Sequence, residues 1–358
     1  MSTSVKKKVV IGLSGGVDSS VAAYLLKEQG YDVIGVTMQI WTDEAEAESE
    51  ACSSIEAVQD AKAVADMLGI SYHVVNFKSV FEEKVIAYFI DEYKSGRTPN
   101  PCNACNRYVK WEALLKAAGE LGADSIATGH YARIHQLKNG RYTLRKSVTE
   151  KKDQTYALYN LTQEQLSHTL MPLGEYKKEE VRAIAQKIGL KVADKKDSMD
   201  ICFVPDNKYA EFIKKKDSYE APEGNFVDMQ GNVIGRHKGI IHYTVGQRKG
   251  LNLMLGKPVY VAAIRPDTNE VVIGDAEDVR TDRLYVYPMN YLSIEGIDAP
   301  LKVHARIRYN HSGAPATLFP QDDNRVLCIF DEPQRAITPG QALVCYNEDY
   351  LVCGGTIL

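Results

Sequence analysis

The 358-residue sequence contains no apolar run long enough to cross a membrane, so a membrane span is not expected. Its N-terminus, MSTSVKKKVVIGLSGG, places lysines before a short apolar stretch, but glycines follow directly, which argues against a secretory signal peptide. Internal repeats and low-complexity tails are also missing. The cysteines number seven, an odd count without even disulfide spacing, which indicates a reducing, cytoplasmic protein.

The chain also lacks an excess of positive charge. It has 43 Lys and Arg residues and 47 Asp and Glu residues, which gives a formal net charge of −4. This excludes a surface coated in basic residues, although a local basic face would suffice for binding nucleic acid. The hydrophobic fraction of 44% and the charged fraction of 25% are typical of a soluble globular protein. The length allows two or three domains.

Two common phosphate-binding loops are absent, since the chain has neither G-x-x-x-x-G-K-[ST] nor G-x-G-x-x-G. In their place, residues 9–20 read VVIGLSGGVDSS, a buried strand that breaks into a glycine turn and continues as a helix. Backbone N–H groups of such a turn, together with the helix dipole, favour a phosphate. Ser14, Ser19 and Ser20 add hydroxyls, and Asp18 adds a carboxylate suited to Mg²⁺.

Alternating strand and helix patterns predict the fold of the N-terminal half. Apolar runs at 31–41, 71–77 and 123–133 read as strands, and helical spacing marks 55–69, 80–96 and 107–121. This alternation predicts an α/β domain with a doubly wound parallel sheet. Ligands of such sheets bind at the carboxyl ends of strands, where Met38, Gly129 and His130 are expected. The acidic stretch 42–51 is predicted to be a solvated excursion.

Composition then divides the chain into three predicted domains. Residues 1–208 form the α/β domain, and the glycine-rich residues 209–280 form a small α+β central domain. Residues 281–358 contain short alternating runs separated by turn residues, which indicate a C-terminal β-barrel or sandwich.

The cysteines fall into two groups. Cys52 and the three cysteines in C-terminal strand patterns, Cys328, Cys345 and Cys353, are interpreted as inert or buried. The remaining three are Cys102, Cys105 and Cys202. The first two lie in RTPNPCNACNRYVKW (97–111), whose prolines predict a rigid loop with Asn106 capping the helix that follows. Cys202 lies in the polar loop 191–206.

A C-x-x-C pair permits three kinds of chemistry. It could be half of a zinc site, but no second C-x-x-C or H-x₃₋₅-H supplies the other ligands. It could be a thioredoxin-like redox pair, although that motif normally opens a helix in a smaller fold. It could also take part in sulfur transfer, with Cys202 as a distant partner cysteine.

Several strings, in this order, carry a family resemblance. S-G-G-x-D-S resembles the PP-loop of ATP pyrophosphatases. With NPCNACN (100–106), GHYAR (129–133), KKDQTY (151–156), VADKKDSMDICF (192–203), YTVGQRKGL (243–251) and RIRY (306–309), the chain resembles the bacterial tRNA-specific 2-thiouridylases along its length. The resemblance implies a sulfurtransferase that thiolates C2 of the wobble uridine, position 34, and converts ATP with Mg²⁺ to AMP and pyrophosphate.

The resemblance also implies roles for individual residues. Cys105 would be the first catalytic cysteine, and Cys202 would carry a persulfide. ATP would be bound by Gly12, Leu13, Ser14, Gly15, Gly16, Val17, Asp18, Ser19, Met38 and Gly129. The tRNA would be contacted by Asn100, Pro101, Cys102, His130, Lys152, Asp153, Gln154, Arg308, Tyr309 and Gln341. The implied partners are tRNAs for Lys, Glu and Gln, and a persulfide donor such as a cysteine desulfurase or a sulfur relay protein.

One position departs from the family pattern. The usual loop is Asn-Pro-Asp-x-x-Cys, and here Cys102 stands in place of the aspartate. A thiol cannot supply the two acceptor oxygens of a carboxylate. Three thiolates could instead hold a [4Fe–4S] cluster with one iron open to sulfide, so this second hypothesis stays beside the persulfide one.

Two further functional classes compete with tRNA thiolation. A PP-loop synthetase acting on a small molecule would share the glycine loop but would need no sulfur-carrying cysteines. A non-catalytic RNA-binding protein would need neither the intact loop nor Asp18.

Overall fold

The computed structural model describes residues 6–40, 55–193, 195, 201–204 and 208–358. The acidic stretch 42–51, Cys52 and most of the polar segment 194–200 lie outside the described residues, so the predictions for them are not addressed. The chain divides into two compact units. The first unit comprises Met1–Val85, Cys102–Pro205 and Asp349–Leu351, and the second comprises Ile86–Pro101, Asp206–Glu348 and Val352–Leu358.

The first unit is built around a parallel sheet. Its strands and those of a neighbouring hairpin are β1 (Lys8–Gly12), β2 (Asp32–Gln39), β3 (Ser71–Asn76), β4 (Ser125–Ala127), β5 (Ala132–Gln136), β6 (Tyr142–Lys146) and β7 (Thr169–Leu170). The sheet order is β3-β2-β1-β4-β7, with every neighbouring pair parallel. The order reverses at β1, so the crevice between the carboxyl ends of β1 and β4 is the place where such sheets bind ligands. The predicted doubly wound α/β fold is confirmed.

Helices complete this unit and the start of the second. They are α1 (Val17–Glu28), α2 (Ile55–Leu68), α3 (Lys78–Phe81) with a π-helical segment Glu82–Ala87, α4 (Tyr88–Lys94), α5 (Pro101–Ala104) with a π-helical segment Cys105–Ala113, α6 (Leu114–Glu120), α7 (Gln163–Ser167) and α8 (Lys178–Lys187). Short 3₁₀ turns occupy Glu150–Lys152, Thr155–Leu158 and Pro172–Glu175. The core of the unit packs β1 against α1, α2 and α8, whose apolar faces are buried.

The predicted strand at 123–133 is wrong in its extent. The sheet strand ends at Ala127, and the chain turns before β5 begins at Ala132. β5 and β6 form an antiparallel hairpin, and Arg145 of β6 pairs with Tyr350. The turn leaves Gly129 and His130 at the carboxyl edge of the sheet, as predicted.

The second unit contains a small mixed sheet. α9 (Tyr209–Asp217) precedes β8 (Gly224–Val227), β9 (Val233–His237), a 3₁₀ turn at Ile240–His242, β10 (Tyr260–Arg265) and β11 (Glu270–Gly274). The strand order is β10-β11-β8-β9, in which β8 and β11 are parallel. Tyr209 of α9 stacks on Tyr93 of α4 with ring centroids 4.8 Å apart. The predicted small α+β domain is confirmed.

A closed barrel forms the C-terminal part of the chain. Its strands are β12 (Arg280–Tyr291), β13 (Leu301–Arg306), β14 (Ala314–Pro320), β15 (Val326–Arg335), β16 (Ala342–Asn347) and β17 (Tyr350–Ile357). Pairing of β12 with both β15 and β17 closes the sheet, which removes its open edges. The predicted C-terminal barrel is therefore confirmed. In the described part of the chain, none of the helices is long and apolar enough to cross a membrane.

Candidate active site

A glycine loop joins β1 to α1 at the crevice of the parallel sheet. β1 is fixed in place because Val9, Val10 and Ile11 are fully buried. After it, the backbone N–H of Ser14 donates to Oγ of Ser19 at 3.1 Å, and the Ser19 hydroxyl lies 3.3 Å from the Gly16 carbonyl. These bonds fold residues 12–19 into a compact turn over the first turn of α1.

Two glycines allow the loop to pack this closely. Gly15 has φ of +71°, and a Cβ there would lie 2.4 Å from the carbonyl oxygen of Ala57. A Cβ on Gly129 would lie 2.7 Å from the backbone nitrogen of Ser19 and 2.8 Å from the carbonyl carbon of Asp18. The turn after β4 therefore brings its backbone into direct contact with the backbone at the start of α1. Only glycine permits so close an approach of the two segments.

The N-terminus of α1 is open to an anion. Its N-cap residue is Gly16, and no side chain of the described residues caps the helix by a hydrogen bond. The first N–H groups of a helix have no partner within the helix, and the dipole concentrates positive charge there. This arrangement favours a phosphate group.

Side chains from β2 and β3 brace the other end of the loop. The hydroxyl of Thr37 donates to the carbonyl of Leu13 at 2.8 Å, and the hydroxyl of Tyr72 donates to Thr37 at 2.8 Å. The methyl group of Met38 lies 3.5 Å from the position of a Cβ on Gly12. Met38 therefore lies beside the loop, as the sequence predicts.

Asp18 is held by two side chains that the sequence did not single out. The ammonium of Lys178 lies 2.8 Å from both carboxylate oxygens, and the Tyr131 hydroxyl donates to Oδ1 at 2.7 Å. Lys178 is 7% exposed, and it begins α8, which packs on α1. A buried cation is thus placed at the first turn of α1.

The segment that carries Cys102 and Cys105 is helical, so the predicted rigid loop is wrong. α5 begins at Pro101, which places Cys102 in its first turn and Cys105 at the start of the π-helical segment. Proline is well tolerated at the first helical position, because its missing N–H would have no helical partner there. Asn106 lies inside the helix and is not the predicted cap.

Amide groups fix this helix to the segment 155–165. The side chain of Asn106 donates to the Ala157 carbonyl at 2.8 Å, and that of Asn160 donates to the Asn103 carbonyl at 3.0 Å. The side-chain oxygens of these three asparagines are buried and have no hydrogen-bond partner among the described residues. These bonds hold the helix in place. The side-chain oxygens of Asn103 and Asn106 remain available as hydrogen-bond acceptors close to Cys102 and Cys105 in the sequence.

Cys202 lies in a short turn, residues 201–204, of the first unit. The backbone N–H of Val204 donates to the Ile201 carbonyl at 2.9 Å, and Val204 is fully buried. Phe203 is 5% exposed and packs edge-on against Phe81 at 5.6 Å. These two apolar anchors directly follow Cys202, which is half-buried.

Cys102, Cys105 and Cys202 are reduced, with Cys102 exposed and the other two half-buried. Over the described ranges, which include all three, no group of three or more His, Cys, Asp or Glu side chains could hold a metal ion. A [4Fe–4S] cluster on these three thiols therefore stays a prediction beside the persulfide one. Cys328, Cys345 and Cys353 are buried, as predicted, and burial raises the pKa of Cys328 to about 12.

Comparison with known proteins adds to this geometry. Three family models match the chain: a tRNA methyl transferase HUP domain over residues 7–206, a tRNA methyl transferase PRC-barrel domain over 210–275, and an aminomethyltransferase β-barrel domain over 281–357. The tRNA-specific 2-thiouridylase MnmA of Lachnoclostridium phytofermentans is 61% identical over 98% of this chain and 99% of its own length. This chain belongs to the tRNA-specific 2-thiouridylase family.

Other 2-thiouridylases support the same assignment. The enzyme of Clostridioides difficile is 54% identical over 99% of this chain and 98% of its own length. The enzyme of Acetivibrio thermocellus is 56% identical over 98% of this chain and 99% of its own length. The family resemblance predicted from the sequence is thus confirmed over the whole chain.

His130, an expected tRNA contact in this 2-thiouridylase family member, is placed between the glycine loop and the cysteine helix. Its Nδ1 lies 2.9 Å from the hydroxyl of Thr128, and its ring lies 5.2 Å from that of the fully buried Trp111. Burial lowers the pKa of His130 well below its usual range, and nearby Lys110 lowers it further. A neutral imidazole can stack or form hydrogen bonds, but it carries no positive charge.

This neutral histidine predicts a pH dependence of stability. Its pKa is lower in the folded protein, so below pH 6.5 the unfolded chain binds more protons and the free energy of unfolding falls as pH falls. Between pH 6.5 and 5.5 the loss from this group is about 1 kcal/mol at most. His130→Gln should lose less over this interval than the wild type, by chemical denaturation.

His135→Gln, at an exposed position of the same unit, controls for the loss of a histidine as such. Equal pH dependence in wild type and His130→Gln would contradict the assignment of a depressed pKa to His130.

The other expected tRNA contacts of the first unit are ordered by hydrogen bonds. Asp153 is 7% exposed, and its carboxylate accepts from the Ser147 N–H at 3.1 Å and the Thr155 hydroxyl at 2.7 Å. The side chain of Gln154 accepts from the Tyr131 N–H at 2.8 Å, while Lys152 is half-buried. The segment is therefore built to hold its shape beside Gly129–Tyr131.

In the second unit, the expected tRNA contacts lie in two places, one near Thr98 and the other directly after β13. The side chain of Gln341 donates to the Thr98 carbonyl at 2.8 Å, two residues before the half-buried Asn100. Arg308 and Tyr309 follow β13, which ends at Arg306. Arg308 donates to the Arg335 carbonyl at 3.0 Å, and Tyr309 is 40% exposed.

Proposed function

We propose that this protein catalyses the ATP-dependent 2-thiolation of uridine 34 in tRNA. One observation supports this most directly. The N-terminus of α1 has no side-chain cap and follows a glycine loop that packs closely against neighbouring backbone, and Cys105 and Cys202 belong to the same unit. The relatives named above are tRNA-specific 2-thiouridylases. A site for splitting ATP and two chemically accessible thiols are the parts that such a reaction requires.

ATP would occupy the crevice between β1 and β4. The N–H groups at the start of α1 would bind its phosphates, and Met38 would cover the nucleoside side of the loop. The target uridine leaves the anticodon stack, because its C2 is otherwise shielded. Its O2 then attacks the α-phosphate and displaces pyrophosphate, which forms an adenylated oxygen that is a good leaving group.

Mg²⁺ would be held through the ATP phosphates, with Asp18 as the protein carboxylate at the loop. Mg²⁺ in such sites keeps several waters and binds one or two carboxylates plus substrate phosphates, which fits a single aspartate at this position. When bound, it supplies neutralising charge for the departing pyrophosphate.

Sulfur transfer would use the two half-buried cysteines. The terminal sulfur of a persulfide on Cys202 loses its proton and attacks C2, and AMP leaves with its electron pair. The Cys105 thiolate then attacks Sγ of Cys202, which breaks the S–S bond and leaves the sulfur on C2. The products are 2-thiouridine and a Cys105–Cys202 disulfide, which a dithiol must reduce before a persulfide donor recharges Cys202.

Binding of tRNA would draw on residues from several segments. Asn100, Pro101 and Cys102 would contact the target base, and Lys152 would contact the RNA backbone within a segment ordered by Asp153 and Gln154. Arg308, Gln341 and the exposed ring of Tyr309 would add a basic and aromatic contact from the second unit. The tRNAs for Lys, Glu and Gln are the expected substrates.

An anaerobic assay tests the proposal. Protein stripped of metal is given Mg²⁺, ATP, a wobble-uridine tRNA and a cysteine desulfurase with cysteine as persulfide donor. Thiolated tRNA, which is retarded on a mercury-containing gel, and release of AMP that depends on tRNA are the expected results.

Three other outcomes would change the conclusion. AMP release without any dependence on tRNA would favour a small-molecule synthetase, and failure to bind ATP would favour a non-catalytic RNA-binding protein. Thiolation that appears only after iron and sulfide are added would require cluster chemistry.

A further inference from the structure

We propose that Lys178 binds the β- and γ-phosphates of ATP, and then the pyrophosphate, by exchanging its contact with Asp18 for phosphate oxygens. This inference rests on the proposed function, whose ATP site it completes. It assigns a role to a residue that lies outside every motif by which the nucleotide site was predicted.

The loop itself lacks the cation that many phosphate sites possess. Residues 12–19 contain no lysine or arginine, and their one charged side chain is the carboxylate of Asp18. A carboxylate beside the triphosphate raises the energy of the bound state unless a cation offsets it. Backbone N–H groups and a helix dipole supply only partial charges.

The structure places a full positive charge at this position. The Lys178 ammonium is within 2.8 Å of both Asp18 oxygens, and Asp18 belongs to the first turn of α1, where the helix N–H groups point outward. An ammonium is a compact donor with three rotatable N–H groups, so it can turn from one acceptor to a neighbouring one. Moving from carboxylate to phosphate keeps it paired throughout.

The surroundings favour this exchange over a purely structural pair. Lys178 is 7% exposed, and its side chain also lies over the ring of Tyr131 at 5.8 Å. A buried ion pair adds little net stability compared with apolar packing, so stability alone is a weak reason for placing a lysine here. The Asp18 side chain is 29% exposed, so the carboxylate end of the pair is the end open to an incoming ligand.

Tyr131 keeps Asp18 in place when the lysine turns away. Its hydroxyl donates to Oδ1 at 2.7 Å, and its backbone is bonded to Gln154 in both directions. The other carboxylate oxygen, Oδ2, would then become available to Mg²⁺. The exchange would therefore couple arrival of the triphosphate to formation of the metal contact.

The test compares ligands that do and do not carry the outer phosphates. Equilibrium binding of Mg²⁺-pyrophosphate, Mg²⁺-ATP and AMP is measured by calorimetry for wild type, Lys178→Gln and Lys187→Gln. Lys187 lies on the same helix at an exposed position, so it controls for loss of a positive charge from α8. Lys178→Gln should weaken pyrophosphate and ATP about ten- to a hundredfold, as expected for a hydrogen bond to a charged group.

Affinity for AMP should change less than about twofold, because AMP lacks the outer phosphates, and Lys187→Gln should match the wild type. Equal weakening of AMP and pyrophosphate in Lys178→Gln would overturn the proposal and leave Lys178 as a structural partner of Asp18. Unchanged affinity for pyrophosphate would overturn it too.

If Lys178→Gln does not fold, Asp18→Asn and the double variant Asp18→Asn, Lys178→Gln carry the comparison, since neither leaves a carboxylate unpaired. Asp18→Asn should itself weaken Mg²⁺-pyrophosphate, because it removes the proposed metal contact, so the two variants are compared with each other. The double variant should bind pyrophosphate at least about tenfold more weakly than Asp18→Asn, and equal binding would overturn the proposal. The proposed function fails separately, if wild-type protein binds pyrophosphate through Lys178 but does not thiolate tRNA. Both fail if the wild type binds neither ATP nor pyrophosphate.

Discussion

Cys202→Ser protein should form no detectable thiolated tRNA while it still releases AMP from ATP when tRNA is added. Serine keeps the shape of the half-buried side chain but cannot carry a persulfide, so adenylation proceeds and sulfur transfer does not. Loss of a nucleophile of this kind lowers turnover by at least about a thousandfold. The mercury-gel assay reads thiolation, and a pyrophosphate-release assay reads adenylation in the same sample.

Cys102→Ser is the matched control, because Cys102 lies three positions from Cys105 on the same helical segment and is exposed. In the persulfide mechanism Cys102→Ser should keep thiolation within a few-fold of wild type, because a serine hydroxyl can replace the thiol in its proposed contact with the target base. Cys105→Ser should instead stall after the first sulfur attack. Loss of activity in all three serine variants, together with iron bound by the wild type, would contradict the persulfide mechanism and support the cluster.

Gly129→Ala should abolish useful ATP binding. The added methyl group would lie 2.7 Å from the backbone nitrogen of Ser19, and backbone atoms at a helix start cannot retreat without moving the whole first turn of α1. A displacement of this size at a phosphate-binding loop costs at least about a hundredfold in affinity or rate. Calorimetric titration with Mg²⁺-ATP measures the change, and circular dichroism confirms that the variant is folded.

Gly119→Ala provides the comparison, since Gly119 is exposed in α6 and a Cβ there meets no described atom within 4 Å. Alanine in a helix interior is about 1 kcal/mol more favourable than glycine, so this variant should be slightly stabilised and bind ATP normally. Normal ATP affinity in Gly129→Ala would mean that the nucleotide does not depend on close contact between β4 and α1.

The parts of the fold that the sequence predicts are those in which local pattern and tertiary role agree. The run before Gly12 is apolar because β1 is buried on both faces, and Gly15 is required by its positive φ. The same agreement makes the alternating C-terminal runs readable as a barrel. By contrast, β7 consists of Thr169 and Leu170 only, which is too short for any periodicity to reveal.

The errors have specific physical causes. Pro99 and Pro101 predict a loop from the sequence, but a proline at the first helical position needs no N–H partner, and Cys102 and Cys105 are helical. Lys178 could not be singled out, because KKEEVR is typical of the start of any amphipathic helix. Its partner, Asp18, is 160 residues away, a separation that no local pattern spans.

The return of the chain to the first unit at residues 349–351 limits how this protein can be dissected. Asp349 accepts hydrogen bonds from Arg133 at 3.3 Å and Arg145 at 2.6 Å, and the Leu351 carbonyl accepts one from the buried hydroxyl of Thr143. A gene fragment that stops at codon 208 would encode the loop, the cysteines and Lys178, yet it would leave a buried hydroxyl and two arginines without these acceptors. Expression trials aimed at a minimal catalytic fragment should therefore keep the C-terminal codons, even where the barrel is not itself of interest.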